Sequence, residues 1–223
     1  GVLAWWFQLG VNAFLGMQPV LAGGATGLGF TDLVAALQLL KFTGLCLLLA
    51  PLVTMSALAG ERRAYTLPLL FASGESPTRI VLGKFLAALA YMWLLLLLVA
   101  LMPLSLMHAT TPDWGQFAAA LLGCALCIAA LTAIGIACSA FSSHPALAAT
   151  AALLIGLILG MLDIGARAGG IDIGWLAYLA LPTHLTPFLQ GIVASADIVY
   201  FLLLTVLALA FAARRLAAEK VRG

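Results

Sequence analysis

Apolar residues run along this chain in blocks of about 20, the length that spans roughly 30 Å of hydrocarbon at about 1.5 Å per residue. Short polar or glycine-rich gaps separate the blocks. Backbone groups in lipid must be satisfied within the protein, so blocks of this length imply helices rather than strands. The pattern predicts an all-α, polytopic membrane protein with six transmembrane helices, over 2–22, 33–59, 79–107, 115–140, 146–162 and 197–213. Asp32 is placed to N-cap the second block. The gap over 60–78 is the most polar stretch, with charged ends and an apolar middle. In it, Thr66 is expected to cap a short helix that Gly74 closes, with Pro68 tolerated in the first turn. Ser76 then caps the third block, with Pro77 at its first helical position. Phe141-Ser142-Ser143-His144-Pro145 reads as a tight turn, so blocks four and five form an antiparallel hairpin. The segment 175–194 is apolar but broken by Pro182 and Pro187.

Charge placement decides whether 175–194 is a seventh crossing. Basic residues stay on the cytoplasmic side of a membrane. Six spans put Arg62, Arg63, Arg79, Lys84, Arg214, Arg215, Lys220 and Arg222 on one side, eight of the ten Lys and Arg residues. Asp32, Asp113, Asp163, Asp172 and Asp197 fall on the other, with Arg167 the only basic residue in a loop there. A seventh span would send the basic C-terminus outside. The segment is therefore expected to be a broken, re-entrant or interfacial element on the outer face, with both termini cytoplasmic.

Composition agrees, with 65% of residues hydrophobic and 8% charged. The net charge of +2 says nothing about nucleic acid, because the charges are few and lie in the gaps; the apolar blocks make membrane lipid the expected surroundings, and no nucleic-acid partner is expected. The chain opens inside an apolar segment without a Met or a basic flank, so further native residues are expected ahead of Gly1. Cys46, Cys124, Cys127 and Cys138 all fall within apolar blocks. The CxxC spacing of Cys124 and Cys127 has no second pair and no histidine nearby, so buried small residues are expected and no metal site.

No HExxH, GxSxG or GxxxxGK[ST] motif occurs, so the chain is read as non-catalytic, with no cofactor. An intramembrane enzyme built on Ser105 with His108 or His184 has no motif behind it. Apart from Arg79 and Lys84 at the start of the third block, Lys41 is the one basic residue within a span, about nine residues beyond Asp32 and on the order of 13 Å along the helix. Such a charge is either functional or snorkels to the surface. Proline in the spans (Pro19, Pro51, Pro103) kinks helices in many transporters and is also common without function.

Glu61-Arg62-Arg63-Ala64-Tyr65-Thr66-Leu67-Pro68-Leu69-Leu70, followed by Ile80-Val81-Leu82-Gly83-Lys84-Phe85, resembles the ABC-2 type permeases. The gliding-motility and nitrous-oxide-reductase-maturation branch typically carries E-(R/K)-R-x-G-T-L-E-x-L-L and then V-x-G-K-F. Here Tyr65 stands in place of the Gly and Pro68 in place of the Glu. Thr183-His184-Leu185-Thr186-Pro187-Phe188, with Gly191 and then Asp197-x-x-Tyr200-Phe201, is similar to the same branch before its last span. The likeness covers about 55–213; the first block fits by hydropathy alone.

The resemblance implies a type V-like exporter in the bacterial cytoplasmic (inner) membrane. Two permease subunits, identical or paralogous, would each dock one of two copies of a separate ABC ATPase chain. It makes 60–78 the coupling segment, with Glu61, Arg62, Arg63, Thr66, Leu67, Leu69, Leu70 and Phe71 toward the ATPase. On this plan His184, Pro187 and Phe188 fall at the outer gate, and Lys41, as an intramembrane charge, is a further candidate for the translocation path. Two alternatives share this plan: a haem-exporter-type permease using His108 and His184, and a non-transporting scaffold that docks an ATPase.

Overall fold

The computed structural model describes residues 2–22, 31–66, 74–106, 113–168 and 178–222, and every regular element among them is helical. Runs of Leu, Ala and Val that satisfy their own backbone groups account for this. The elements are α1 (Val2–Ala22), a π-helical turn (Thr31–Ala36) leading into α2 (Leu37–Thr54), α3 (Ala59–Arg63), α4 (Pro77–Leu106), α5 (Trp114–Phe141), α6 (Pro145–Ala168), α7 (Leu181–Leu189) and α8 (Ser195–Arg222). Among the described residues, five stretches are long and apolar enough to cross a membrane: Val34–Arg63, Pro77–Ser105, Trp114–Phe141, Pro145–Leu162 and Ser195–Val221. The block 2–22 is a helix, α1, lying against α2.

Helix α5 is the centre of the bundle and touches α2, α3, α4, α6, α7 and α8. Of its apolar stretch 72% is buried, against 17% in α6 and 22% in α8. Small side chains make this possible, because without an aqueous phase to drive apolar burial, helices associate by close approach. A Cβ added at Gly135 would stand 3.0 Å from Thr54 Cβ on α2 and closer still to its hydroxyl; one at Gly123 would stand 2.5 Å from Phe188 Cβ on α7.

Named contacts fix the directions. Cys124 Sγ faces Leu39 O, and Ser139 meets Met55 and Leu58, so α2 and α5 run parallel. Gln116 bonds Leu189 O beside the start of α8, while Ala140 and Glu219 share one arginine at the other end; α8 is also parallel to α5. Trp93 Nε1 donates to Ala125 O, and Val81 shares a core with Ile136 and Leu216, so α4 runs opposite. The bundle thus has two ends, one marked by α3 and the other by α7.

Several boundaries differ from the sequence reading. The block 33–59 is interrupted: α2 stops at Thr54, a turn occupies 55–58, and α3 follows. Asp32 lies within the π-helical turn and does not cap α2, whose N-cap position is Ala36, without a side-chain cap. The last helix runs on past residue 213 to Arg222, because Ala212 and Leu216 stay buried against α4 and no Gly or Pro stops it. Pro77 does open α4, with Ser76 Oγ accepting from Arg79 N at 3.3 Å. The expected short helix after Thr66, with Leu67, Pro68, Leu69, Leu70 and Phe71, lies outside the described residues.

Candidate functional site

At the α3 end, a break in a membrane helix is held by one hydroxyl. Pro51 has no N–H to give, so the helical ladder is already weakened ahead of the turn. Thr54 Oγ1 donates back to Ala50 O at 2.7 Å. Ser139 of α5 then completes the turn: its Oγ accepts from Leu58 N and Ala59 N and donates to Met55 O, each at 3.0 Å. This uses the hydroxyl's one donor and both acceptor positions. Ser139→Ala is expected to destabilise the protein by about 1–3 kcal/mol, the cost of leaving buried backbone donors unmet. Chemical unfolding in micelles checks this, and an unchanged midpoint would contradict it.

The charges of α3 mostly turn inward. Arg62 Nε donates to Glu219 Oε1 of α8 at 2.9 Å and Nη2 to Oε2, a bidentate pair. The same guanidinium reaches Ala140 O at 2.9 Å and Ser142 O, the last carbonyls of α5, where the helix dipole is negative. Glu61 is paired with Lys84 of α4. The other Glu61 carboxylate oxygen is buried without a partner among the described residues. Thus the E-R-R run and the V-x-G-K-F run, separate in sequence, meet through one ion pair. Arg63 and Tyr65 are left exposed, Tyr65 by 86%.

The end of α3 explains the substitution at Tyr65. Thr66 N bonds Glu61 O at 3.0 Å and Tyr65 N bonds Arg62 O at 3.2 Å, the paired bonds of a Schellman cap. That cap needs a left-handed residue, and Tyr65 has φ of 56° where the family pattern carries Gly. Thr66 Oγ1 also donates to Glu61 O. Tyr65→Gly is expected to stabilise the native state by about 1 kcal/mol, the cost of a left-handed non-glycine residue. A rise in melting temperature checks this; a fall would contradict it.

At the α7 end, Pro182 opens a nine-residue helix and Gly191, at φ of 83°, turns the chain toward α8. Phe188 is fully buried against Phe201, and Gln116 Nε2 donates to Leu189 O at 2.9 Å. Asp113 caps α5 by accepting from Gln116 N. His184 is 2% exposed, with Asp197 Oδ1 2.6 Å from Nδ1 and Tyr178 O 2.7 Å from Nε2. Tyr200 stacks on its ring at 3.9 Å and donates to Leu179 O. Pro187 sits inside α7, half-buried.

Of the residues read as path or gate, the structure brings His184, Pro187 and Phe188 together in α7. Lys41 is elsewhere, its ammonium 5.9 Å from the Trp6 ring centroid of α1. His108 lies outside the described residues. The cysteines are buried and unpaired in disulfides, and no cluster of metal-ligating side chains occurs among the described residues. An apolar cavity of about 120 Å³ lies between α2, α5, α6 and α7, lined in part by Thr43, Cys127, Gly160 and Leu185.

Sequence reasoning did not single out Ser139, Lys84 or Glu219 as partners of the 60–66 stretch. Their separations, 23 residues for Glu61 to Lys84 and 157 for Arg62 to Glu219, leave no local signal. Asp197 and Tyr200 did carry one, as part of the run after Gly191.

A search of curated proteins finds no match to the chain. Residues 35–214 match the family described as ABC-2 family transporter protein, a stretch that begins within the π-helical turn and ends inside α8. With most of its length matched and a bundle of apolar helices beneath the match, the chain belongs to the ABC-2 transporter family and is a membrane permease of that family.

Proposed function

We propose that this chain is the permease subunit of an exporter in the bacterial inner membrane. It crosses the membrane six times, through α1, α2, α4, α5, α6 and α8, and works as one of two permeases on a dimer axis. An ABC ATPase is the general partner of permeases in this family; here one of two copies docks on the α3 end of each permease, which faces the cytoplasm. Placing Arg62, Lys84, Glu219 and Lys220 at that end and Asp113 and Asp197 at the other agrees with basic residues facing inward. The gliding-motility and nitrous-oxide-reductase-maturation branch is the reading that the Glu61, Lys84 and His184 runs support.

The observation that carries the coupling role is the Arg62 junction. A push on the 60–78 segment from an ATPase meets a side chain already clamped to the ends of α5 and α8. Helix α8 has 28 residues, about 42 Å at 1.5 Å per residue. It carries Glu219 at the α3 end and Asp197 at the α7 end. Movement of α3 is thereby passed along one rigid rod to α7, which in this reading closes the outer face. Arg63 and Tyr65 are exposed where the ATPase docks, Leu67, Leu69, Leu70 and Phe71 are its further contacts in this reading, taken from the sequence alone, and Glu61 and Arg62 fasten α3 to the bundle. The haem-exporter alternative is less favoured, since both ring nitrogens of His184 are engaged within the protein.

The test is co-purification of the chain in mild detergent, with the partner identified by mass and nucleotide hydrolysis measured on the eluate. A stoichiometric ATPase lost on Leu69→Asp with Leu70→Asp supports the reading. A lone chain without hydrolysis overturns it.

A further inference from the structure

Among the described residues, Lys41 is a cation at hydrocarbon depth with no anion beside it. Val34 opens the apolar stretch of α2, and Lys41 follows on the order of 10 Å along it. Its ammonium stands 5.9 Å from the Trp6 ring centroid of α1, and no described carboxylate pairs with it. A ring face offsets only part of what a charge loses in hydrocarbon. A helical side chain leans toward its N-terminus, so this ammonium reaches toward the α7 end and the headgroups of that leaflet.

Beside Lys41 the surface of the bundle is incomplete. The cavity of about 120 Å³ between α2, α5, α6 and α7 starts at Leu40, the residue before Lys41, and passes Gly44 to Leu47. Gly44 follows Lys41 by one helical turn on the same face. Leu40 is 40% exposed and Gly44 is exposed, so the cavity opens to the outside of the bundle. A Cβ at Gly44 would meet nothing within 4 Å, and Gly160 of α6 adds a second wall without a side chain. The hydroxyls of Thr43 and Thr186 are bonded to carbonyls of their own helices, which leaves the lining apolar. Such a space stays dry, and its leucines forfeit dispersion contacts unless something apolar fills it. A cation toward the headgroups and an apolar niche below it follow the order of phosphate and acyl chain in a lipid.

We infer that this niche holds an anionic phospholipid of the surrounding bilayer, with its phosphate on Lys41 and one acyl chain passing Gly44 into the cavity. The ammonium sets the preference for a negatively charged headgroup, and the niche fixes where the chain lies. The lipid neutralises Lys41 and fills the gap between α2 and α7. The site rests on the α7 half of the bundle and stands apart from ATPase docking.

Photolabelling tests this in vesicles of phosphatidylcholine that carry a trace of phosphatidylglycerol with a diazirine on one acyl chain. Peptide mapping should place the label on Leu40–Leu47 of α2 and Leu181–Thr186 of α7. Moving the diazirine to phosphatidylcholine should lower that labelling about fivefold, the share of one lysine near an anionic lipid. Lys41→Gln should abolish the difference between the two lipids, and Lys41→Arg should keep it. Gly44→Phe should remove the label from α7 with Lys41 still in place. Equal labelling of these segments by both lipids, or labelling that Lys41→Gln leaves unchanged, would overturn the inference. So would a photoreactive residue at position 44 that captures a second copy of the chain in place of lipid.

Discussion

Replacing Arg62 by alanine is expected to destabilise the bundle by about 2–4 kcal/mol, between the values for exposed and fully buried ion pairs. Its side chain is 18% exposed and that of Glu219 29%, so solvent screens the pair only in part. Four interactions end together: two to the carboxylate and one each to the carbonyls of Ala140 and Ser142. Alanine leaves Glu219 near the C-terminus of α8, where the helix dipole disfavours an anion. Glu219→Gln should cost less, because Arg62 keeps the two carbonyls. Arg62→Lys should recover no more than about half of the loss, since an ammonium lacks the fork that meets carboxylate and carbonyls at once. Unfolding midpoints of the three variants check the order. An Arg62→Ala protein as stable as the native chain would remove the junction from the coupling path.

Gly135→Ala is expected to cost about 3 kcal/mol, at the upper end of what an extra methyl group costs in a packed core. The new carbon would overlap Thr54 Oγ1 and stand 3.0 Å from Thr54 Cβ and 3.3 Å from Cγ2. Rotation of Thr54 offers little relief, because the residue is fully buried and its hydroxyl is bound to Ala50 O. The helices would have to separate at the level of the break in α2, where Ser139 must still reach three backbone groups. Combining the change with Thr54→Ala should recover part of the loss, since Cβ at 3.0 Å remains. A double-mutant cycle measures this, and strict additivity would show that the two residues do not meet.

Much of the architecture was legible because lipid leaves a chain few choices. Blocks of leucine and alanine had to be helices, and prolines 182 and 187 marked the segment that is the short helix α7. The break at 55–58 was not legible. Pro51 hinted at it, but its cap, Ser139, comes from another helix, 80 and 81 residues from the backbone groups it meets at Ala59 and Leu58. The fate of Arg62 was hidden for the same reason: its partner Glu219 sits in a terminal stretch that reads simply as polar. Asp32 looked like a cap because the type is right, yet the helix begins a residue earlier as a π-turn. Tyr65 was flagged only by comparison with a family pattern, and the left-handed backbone supplies the reason for Gly there. His184 was placed by motif, but its two acceptors emerge only when residues 178 and 197 close around it.

The most direct test of the coupling role is photo-cross-linking from position 65, which projects into solvent from the cap of α3. A photoreactive phenylalanine analogue at Tyr65 should capture a chain bearing a Walker motif, at a yield that changes between nucleotide-free and ATP-bound conditions. Cross-links to lipid alone, or to an ATPase with no response to nucleotide, would contradict the assignment of this end of the bundle as the place where the motor pushes.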